Sequence, residues 1–170
     1  MELKTWNWLD HLTSWIEKGL RIILILAVLI MACVLMLGVL SRYLLPTPIV
    51  GTDELGMFLL IWVTFLGASI SIHRNDMVRV TVFVDRLGEF KIWLYFLVQV
   101  LILIFSVTFL VYGYKWVFSP STLNNTSPSL QIPLWIVYLI FPLSMFTTAL
   151  FAFRHIIAIL IGQKSKMIDS

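Results

Sequence analysis

Charged residues are scarce in this sequence. Only 12% of its 170 residues are Asp, Glu, Lys or Arg, whereas 60% are hydrophobic. An ordinary soluble domain is about one quarter charged, so this chain has too few polar groups to cover a surface that faces water. The mean hydropathy of +0.97 agrees with that conclusion. The composition excludes an ordinary soluble domain and indicates a protein whose solvent is lipid.

Cysteine is nearly absent as well, and so are the motifs of most enzymes. The single cysteine, Cys33, cannot form an intramolecular disulfide and lies in an apolar run, where cysteine acts as a small apolar residue. The sequence shows no Cys/His metal spacing, nucleophile elbow, glycine-rich phosphate loop or internal repeat. We therefore expect no enzyme, no metal, no cofactor and no nucleic-acid partner.

Four apolar stretches are each long enough to cross a bilayer, which takes about 20 residues. They cover approximately residues 22–41, 55–72, 92–114 and 132–153. These stretches predict an all-α membrane protein with four transmembrane helices in a single domain, residues 1–170. The first stretch is longer than the ~7–15 residues of a signal-peptide core, and no Ala-x-Ala-like site follows it. We expect it to be retained as an anchor.

Lysine and arginine are unevenly distributed among the segments that connect these stretches. Ten of the twelve lie before the first span, between the second and third, or after the fourth, and only Arg42 and Lys115 lie in the other two connections. Because these residues accumulate on the cytoplasmic side, we predict that both termini are cytoplasmic. The predicted location is a bacterial inner membrane.

Two shorter segments are amphipathic. Within residues 4–20, apolar side chains share one half of a helical wheel, and four of them are candidates for a lipid interface: Trp6, Trp8, Leu12 and Trp15. We predict an N-terminal amphipathic helix there, with extension of the first span or packing on another subunit as alternatives. Residues 77–90 fit a helix or a strand, and a short interfacial helix is favoured because an unpaired strand edge is costly near lipid.

The four spans carry no ionisable residue at mid-membrane, where ion-coupled carriers usually place one. Their mild polar and small residues suggest helix packing instead, and the candidates are Thr64, Gly67, Ala68, Ser71 and Gln99. Pro142 is expected to be a tolerated kink rather than a substrate-binding break. The chain thus lacks coupling machinery of its own, which predicts an accessory or scaffold subunit.

Two histidines leave another interpretation open. His73 and His155 lie at the cytoplasmic ends of spans and could flank a haem, as in a respiratory membrane anchor. Each adjoins an arginine at the expected water boundary, however, so we favour an ordinary position for both. A haem-bearing anchor subunit and a small self-sufficient exporter remain the alternatives to a scaffold subunit.

Several short stretches occur in a familiar order. Arg42 follows the first span, and the sequence DEL occupies residues 53–55. Residues 60–76 read LIWVTFLGASISIHRND, and residues 127–135 read SPSLQIPLW. This order resembles the small membrane subunit of tripartite ATP-independent periplasmic (TRAP) transporters, the DctQ family. The positions that match the family pattern are Arg42, Glu54, Gly67, Ala68, Arg74 and Pro142. The chain departs from it at residues 50–52, where many members have tryptophan, and at Met77, where many have histidine.

The resemblance implies a fold, a role and partners. Such transporters import organic acids, such as C4-dicarboxylates or sialic acid, with an ion gradient that is usually sodium. A periplasmic binding protein captures the substrate, and a large multi-helix membrane subunit holds the substrate and ion sites. The small subunit packs against the large one in the lipid bilayer and is expected to brace it.

Two adjacent carboxylates open the second span. Asp53 and Glu54 would stabilise the positive end of the helix dipole by ~0.3–1 kcal/mol. Pro46 and Pro48 restrict the preceding loop, so Arg42 at the same level is expected to pair with Glu54 across helices one and two. Contact with the binding protein or the large subunit is the alternative, and a coupling site is disfavoured because both acids lie at the boundary.

Overall fold

The computed structural model describes residues 2–47, 49–73 and 90–160, with the side chains of residues 2–10, 90–92 and 160 outside that description. Its helices are α1 Glu2–Leu44, α2 Thr52–His73, α3 Phe90–Val117, α4 Pro120–Leu123, α5 Leu134–Tyr138 and α6 Ile140–Leu160. These residues form no β-strand, only an isolated bridge between Thr126 and Pro133. The prediction of an all-α fold is confirmed. The predicted interfacial helix at residues 77–90 lies almost entirely outside the described residues.

Four segments are long and apolar enough to cross a membrane: His11–Leu44, Thr52–His73, Trp93–Val117 and Leu134–Ile159. The prediction of four transmembrane helices is therefore confirmed. Each segment ends one to six residues after the apolar run that predicted it, and the first also begins eleven residues earlier. Polar residues at a helix end can face the headgroups or water while the backbone stays hydrogen-bonded.

The N-terminal segment is helical, but it is not a separate element. It continues without a break into the first span, and α1 is 43 residues long. No proline interrupts residues 2–44, and the two glycines there, Gly19 and Gly38, are too weak as breakers to end the helix. Thr13, Glu17 and Leu20 are buried against the bundle, whereas Trp15 is 76% exposed. Of the apolar side chains that share one half of the predicted wheel, Leu20 therefore faces the bundle and Trp15 faces outward.

The helices pack in the order α1, α2, α6, α3, so that α2 and α6 are internal and α1 and α3 are peripheral. The buried core combines side chains of α1, α2 and α6, namely Leu20, Leu66, Ile70, Ile140 and Phe151. The many exposed aliphatic and aromatic side chains belong mainly to α1 and α3. Such surfaces suit contact with lipid tails, which are as apolar as leucine.

The fourth span consists of two helices that meet at Leu139. Pro142 has no N–H, so the carbonyl group of residue 138 loses its usual helical partner. Nearby, the indole Nε1 of Trp62 donates a hydrogen bond of 3.1 Å to the carbonyl oxygen of Val137. A side chain of α2 thereby supplies a donor beside the interruption, which is how membrane helices tolerate proline.

Small and hydroxyl residues line the contacts between α6 and its neighbours. Ser69 of α2 and Thr147 of α6 share a hydrogen bond of 2.7 Å, and both are buried. On α3, the residues Gln99, Ser106 and Gly113 recur at intervals of seven, and all three are buried. They lie on the side of α3 that faces α6. A Cβ atom at Gly113 would lie 2.5 Å from the ring of Phe141. Close approach of α3 and α6 therefore requires glycine at that position.

Candidate functional site

The two acids that open α2 have different partners. Asp53 forms an ion pair with Arg42 in the last turn of α1, and their side chains remain 74% and 55% exposed. The expected pairing of Arg42 with Glu54 is therefore wrong. Successive helical residues point about 100° apart, so only one of the two acids can face α1, and that acid is Asp53.

Glu54 binds a different part of the chain. Its Oε2 atom accepts hydrogen bonds from the backbone N–H groups of Ser129 and Leu130, each at 3.0 Å. Backbone N–H bonds to a carboxylate are charge-assisted and stronger than neutral ones. Glu54 thereby joins the first turn of α2 to residues 124–131 of the connection before the fourth span. We call residues 124–131 the cap loop.

A glycine allows the cap loop to approach α2. Gly51 has φ of +95°, a conformation that favours glycine. A Cβ atom at this position would lie 2.7 Å from Cδ2 of Leu130. The backbone geometry therefore favours glycine just before α2, and a side chain there would also have to displace the end of Leu130.

The cap loop is also hydrogen-bonded within itself and to the start of α5. The N–H groups of Ser127, Gln131 and Leu134 donate to the carbonyl oxygens of Ile132, Ser127 and Asn125, at 2.9, 3.1 and 3.0 Å. Ser127 is fully buried. Gln131 adopts a positive φ of 54°. The three hydrogen bonds connect the start of the cap loop to its end and to the first residue of α5.

Two histidines form hydrogen bonds at the opposite end of α2. His155 of α6 is only 4% exposed, and its Nε2–H donates to the carbonyl oxygen of His73, the last residue of α2, at 3.1 Å. The ring of His73 packs against Phe151, with centroids 4.4 Å apart, and its Nδ1 accepts from Arg154 at 3.4 Å. One nitrogen of each ring, Nε2 of His155 and Nδ1 of His73, is thus hydrogen-bonded to the protein itself.

The predicted packing residues divide into two groups. Gln99 is buried, and Ala68 and Ser71 are half-buried. Thr64 is exposed and donates its hydroxyl to the carbonyl oxygen of Leu60 at 2.7 Å, and no described atom of another element lies within 4 Å of a Cβ placed on Gly67. Contact between α2 and α6 includes the bond from Ser69 to Thr147, and the Thr64–Gly67 side of α2 faces away from the described bundle.

The remaining predicted residues lie on α1. Leu12 and Trp15 are exposed, as a lipid-facing position requires. Trp6 and Trp8 belong to the same helix, and their side chains lie outside the description. In the described ranges, no group of three or more His, Cys, Asp or Glu residues is placed to hold a metal ion.

Sequence reasoning missed two contacts of this site. The partners of Glu54 are backbone N–H groups, which have no sequence signature, so no local signal could have indicated them. The burial of His155 did leave a signal. Ser144, Thr148, Phe151 and His155 recur at intervals of four, three and four residues, and all four are buried. This spacing marks one inward stripe of α6.

The fold defines a small multi-pass membrane protein, and comparison with known proteins identifies its family. Residues 31–162 match the DctQ component of tripartite ATP-independent periplasmic transporters. A Haemophilus influenzae protein that bears the name TRAP transporter small permease protein is 32% identical over 128 residues, covering 75% of this chain and 78% of that protein. The chain belongs to the DctQ family, the small permease component of TRAP transporters, and the predicted resemblance is confirmed.

A second relative is much longer than this chain. It is named the isethionate TRAP transporter permease protein DctMQ of Oleidesulfovibrio alaskensis, and it is 32% identical over 96 residues. The match covers 56% of this chain but only 15% of that protein. The small permease sequence thus occurs there as a minor part of a larger permease chain.

Proposed function

We propose that this small permease braces a large permease that imports an organic acid, supplied by a periplasmic binding protein and driven by an ion gradient, with sodium as the expected ion. The observation that carries the proposal is the content of the membrane interior. Residues 22–41, 55–72, 92–114 and 132–153 contain no Asp, Glu, Lys, Arg or His. A chain without such groups at mid-membrane is poorly equipped to couple a solute to an ion gradient.

The longer relative supports the choice of partner. Its name joins the M and Q components in one permease chain, and the region similar to this protein is 15% of its length. A permanent neighbour in the same membrane is therefore expected for a small permease that is a separate chain. The substrate named for that relative, isethionate, is an organic acid, which agrees with the proposed substrate class.

Reconstitution would test this function. Proteoliposomes with both permeases should take up the organic acid when loaded binding protein and a sodium gradient are supplied. The small permease alone should give the uptake of empty liposomes, because the proposed coupling groups belong to its partner. Uptake by the small permease alone would refute the scaffold role, and absence of uptake by the complete set would refute the proposed transport.

The proposed orientation places both termini in the cytoplasm and the Asp53 end of the bundle outside. It is supported by the ten-to-two distribution of Lys and Arg. A reporter that is active only in the cytoplasm, fused after residue 170, should be active, and a reporter of the periplasm should be inactive. The reverse result would require the opposite topology.

The exposed side of α2 is proposed to meet a helix of the large permease. Thr64 and Gly67 face away from the described bundle, and small residues allow transmembrane helices to approach closely. A photo-crosslinking residue at Leu60, which is on this side, should capture the large permease. The same residue at Leu101 on α3 is the matched control and should capture lipid. Equal capture at the two positions would contradict the assignment.

The outward side of α1 near its start is proposed to contact lipid. Trp15 and Leu12 are exposed there, and tryptophan prefers the interface between membrane and water. Replacing Trp8, Leu12 and Trp15 with serine should lower the yield of the complex and leave its substrate specificity unchanged. An unchanged yield would show that this apolar surface is dispensable.

A further inference from the structure

A shallow apolar groove runs along the outward side of α3. It has a volume of about 540 Å³ and is lined by Leu101, Ile102, Ile104, Phe105, Thr108 and Phe109. We call it the α3 groove. Its one polar side chain is that of Thr108, whose hydroxyl already donates to the carbonyl oxygen of Ile104 at 2.8 Å. The groove therefore offers hydrocarbon contact and no free hydrogen-bond donor, which suits an acyl chain.

One wall of the α3 groove is supported by aromatic contacts. The ring centroids of Phe105 and Phe109 lie 4.3 Å apart, and Phe109 also meets Phe141 of α6 edge-on, with centroids 6.3 Å apart. The groove is thus braced by a neighbouring helix. A preorganised site loses less conformational freedom on binding, so this wall favours one held chain over lipid that exchanges freely along the helix.

The side of α3 that carries the groove ends at a cation. Leu101, Phe105, Thr108, Tyr112 and Lys115 follow one another at intervals of four, three, four and three residues, and all five are exposed. This spacing puts them on one side of the helix. Lys115 lies about 10 Å beyond Thr108 along the helix axis. An apolar groove and a positive charge therefore share one surface.

The residues around Lys115 mark the level of the lipid headgroups. Tyr112, Tyr114 and Trp116 are all exposed, and tyrosine and tryptophan collect at the boundary between membrane and water. The span itself ends at Val117. Tyr112 lies between the groove and Lys115, where its phenol can donate a hydrogen bond to a lipid oxygen.

The protein supplies no acid to neutralise Lys115. Residues 92–153 contain no Asp or Glu and no other Lys or Arg. Among the residues that the structure describes, Asp53 pairs with Arg42 and Glu54 binds the cap loop, and no carboxylate pairs with Lys115. A lipid phosphate is the anion that a cation at this depth can meet.

We propose that the α3 groove and Lys115 form a binding site for one anionic phospholipid. An acyl chain lies in the groove, and the headgroup phosphate contacts the ammonium group of Lys115. An anionic headgroup such as phosphatidylglycerol suits this cation better than phosphatidylethanolamine, whose own amine neutralises its phosphate. The site requires only that the chain lies in a bilayer, so it does not depend on the proposed transport function.

Photoreactive lipids test the site in the intact chain. Phosphatidylcholine vesicles hold the protein with equal traces of phosphatidylglycerol and phosphatidylethanolamine that carry the same diazirine-labelled acyl chain, and mass spectrometry maps the captured lipids. At residues 101–109, capture of phosphatidylglycerol should exceed that of phosphatidylethanolamine about fivefold, the preference that one lysine supplies near a charged membrane surface. Residues 25–37 of α1 have exposed apolar side chains and no cation, so they are the control and should capture both lipids equally.

Three variants separate the charge from the groove. Lys115→Gln should lower the ratio at residues 101–109 to that of the α1 control, whereas Lys115→Arg keeps the charge and should retain most of the preference. Ile104→Trp fills the groove and should lower capture of both lipids severalfold. Val107→Trp is its matched control, because Val107 is exposed on the same helix outside the groove, and it should leave capture unchanged.

Four results would overturn the proposal. Equal ratios at residues 101–109 and 25–37 of the unmodified protein would reduce the groove to ordinary lipid contact. A ratio that Lys115→Gln leaves unchanged would remove the lysine from the site, and capture that Ile104→Trp leaves unchanged would remove the groove. Loss of capture at residues 101–109 when the large permease is reconstituted with this chain would show that a protein, not a lipid, covers the groove.

Discussion

The two ends of α2 have side-chain hydrogen-bond partners of opposite kinds, acceptors at the first turn and a donor at the last residue. At its first turn, carboxylates accept hydrogen bonds, Asp53 from Arg42 and Glu54 from the backbone of the cap loop. At its last residue, a ring N–H of His155 donates to a carbonyl oxygen. A helix begins with unsatisfied N–H groups and ends with unsatisfied carbonyl groups, so acceptors suit its start and donors its end.

The two ends differ just as clearly in burial. The Arg42–Asp53 pair is open to solvent, whereas His155 is enclosed by α2 and α6. Breaking an exposed ion pair costs little folding free energy, because water replaces each partner. Removing a buried donor costs more free energy, because water does not readily replace the hydrogen bond that is lost. The comparison teaches that the exposed Arg42–Asp53 ion pair contributes less to stability than the buried His155 contact.

The largest expected effect concerns the buried end. His155→Ala should destabilise the detergent-purified protein by about 2–4 kcal/mol, because it removes a buried ring together with the hydrogen bond that the ring donates to the carbonyl oxygen of His73. The measurement is the unfolding free energy in a denaturant series. His155→Gln, which retains a donor near the original position, should recover part of the loss. Equal losses for the two variants would show that packing alone accounts for the effect.

Gly51 provides the next largest effect, at the cap loop end. Gly51→Ala should cost about 1–3 kcal/mol, because its φ of +95° strains any other residue. The added Cβ would also meet Leu130. Gly67→Ala is the matched control, and with open space beside it and a helical backbone it should be neutral or mildly stabilising. The comparison fails if both glycines respond alike in the same denaturant series.

The middle of α2 should respond less than its buried end. Ser69→Ala removes the hydrogen bond to Thr147 and should cost about 0.6 kcal/mol, the average for such bonds between membrane helices. A double-mutant cycle with Thr147→Ala measures the coupling energy directly. A coupling near zero would mean that the two hydroxyls are neighbours without mutual stabilisation.

The smallest effect is expected for the exposed ion pair. Arg42→Ala and Asp53→Asn should each change the unfolding free energy by about 0–1 kcal/mol, and the coupling between them should decrease as salt is added. A coupling of several kcal/mol that resists salt would show that this pair is buried in the assembled transporter, and the contrast between the two ends of α2 would then disappear.

Much of the fold could be predicted because lipid imposes a simple pattern on the sequence. Apolar runs of about 20 residues gave the four spans, and their polar ends gave approximate boundaries. The continuity of α1 could not be read in the same way, because an amphipathic segment before a span can bend into the interface or continue straight. The difference is decided by whether residues such as Thr13 and Glu17 find a packing surface, and here they do.

The candidate site was predictable in composition but not in pairing. Arg42, Asp53 and Glu54 were placed together by the short loop between α1 and α2. Which acid faces which partner depends on the rotation of α2 about its axis, and packing between distant parts of the chain sets that rotation. The cap loop lies about 75 positions further along the sequence from Glu54, so its contribution emerges only from the tertiary structure.

The unbroken α1 has a mechanical consequence. Its 43 residues form a rod about 64 Å long, at 1.5 Å per residue. A rotation of about 5° around its Arg42 end would move Glu2 by roughly 5–6 Å, by the same geometry. Small movements at the cap loop end would thus be magnified at the far end of the rod. A spin label or fluorophore near residue 2 would act as a sensitive gauge of motions that are too small to detect where they begin.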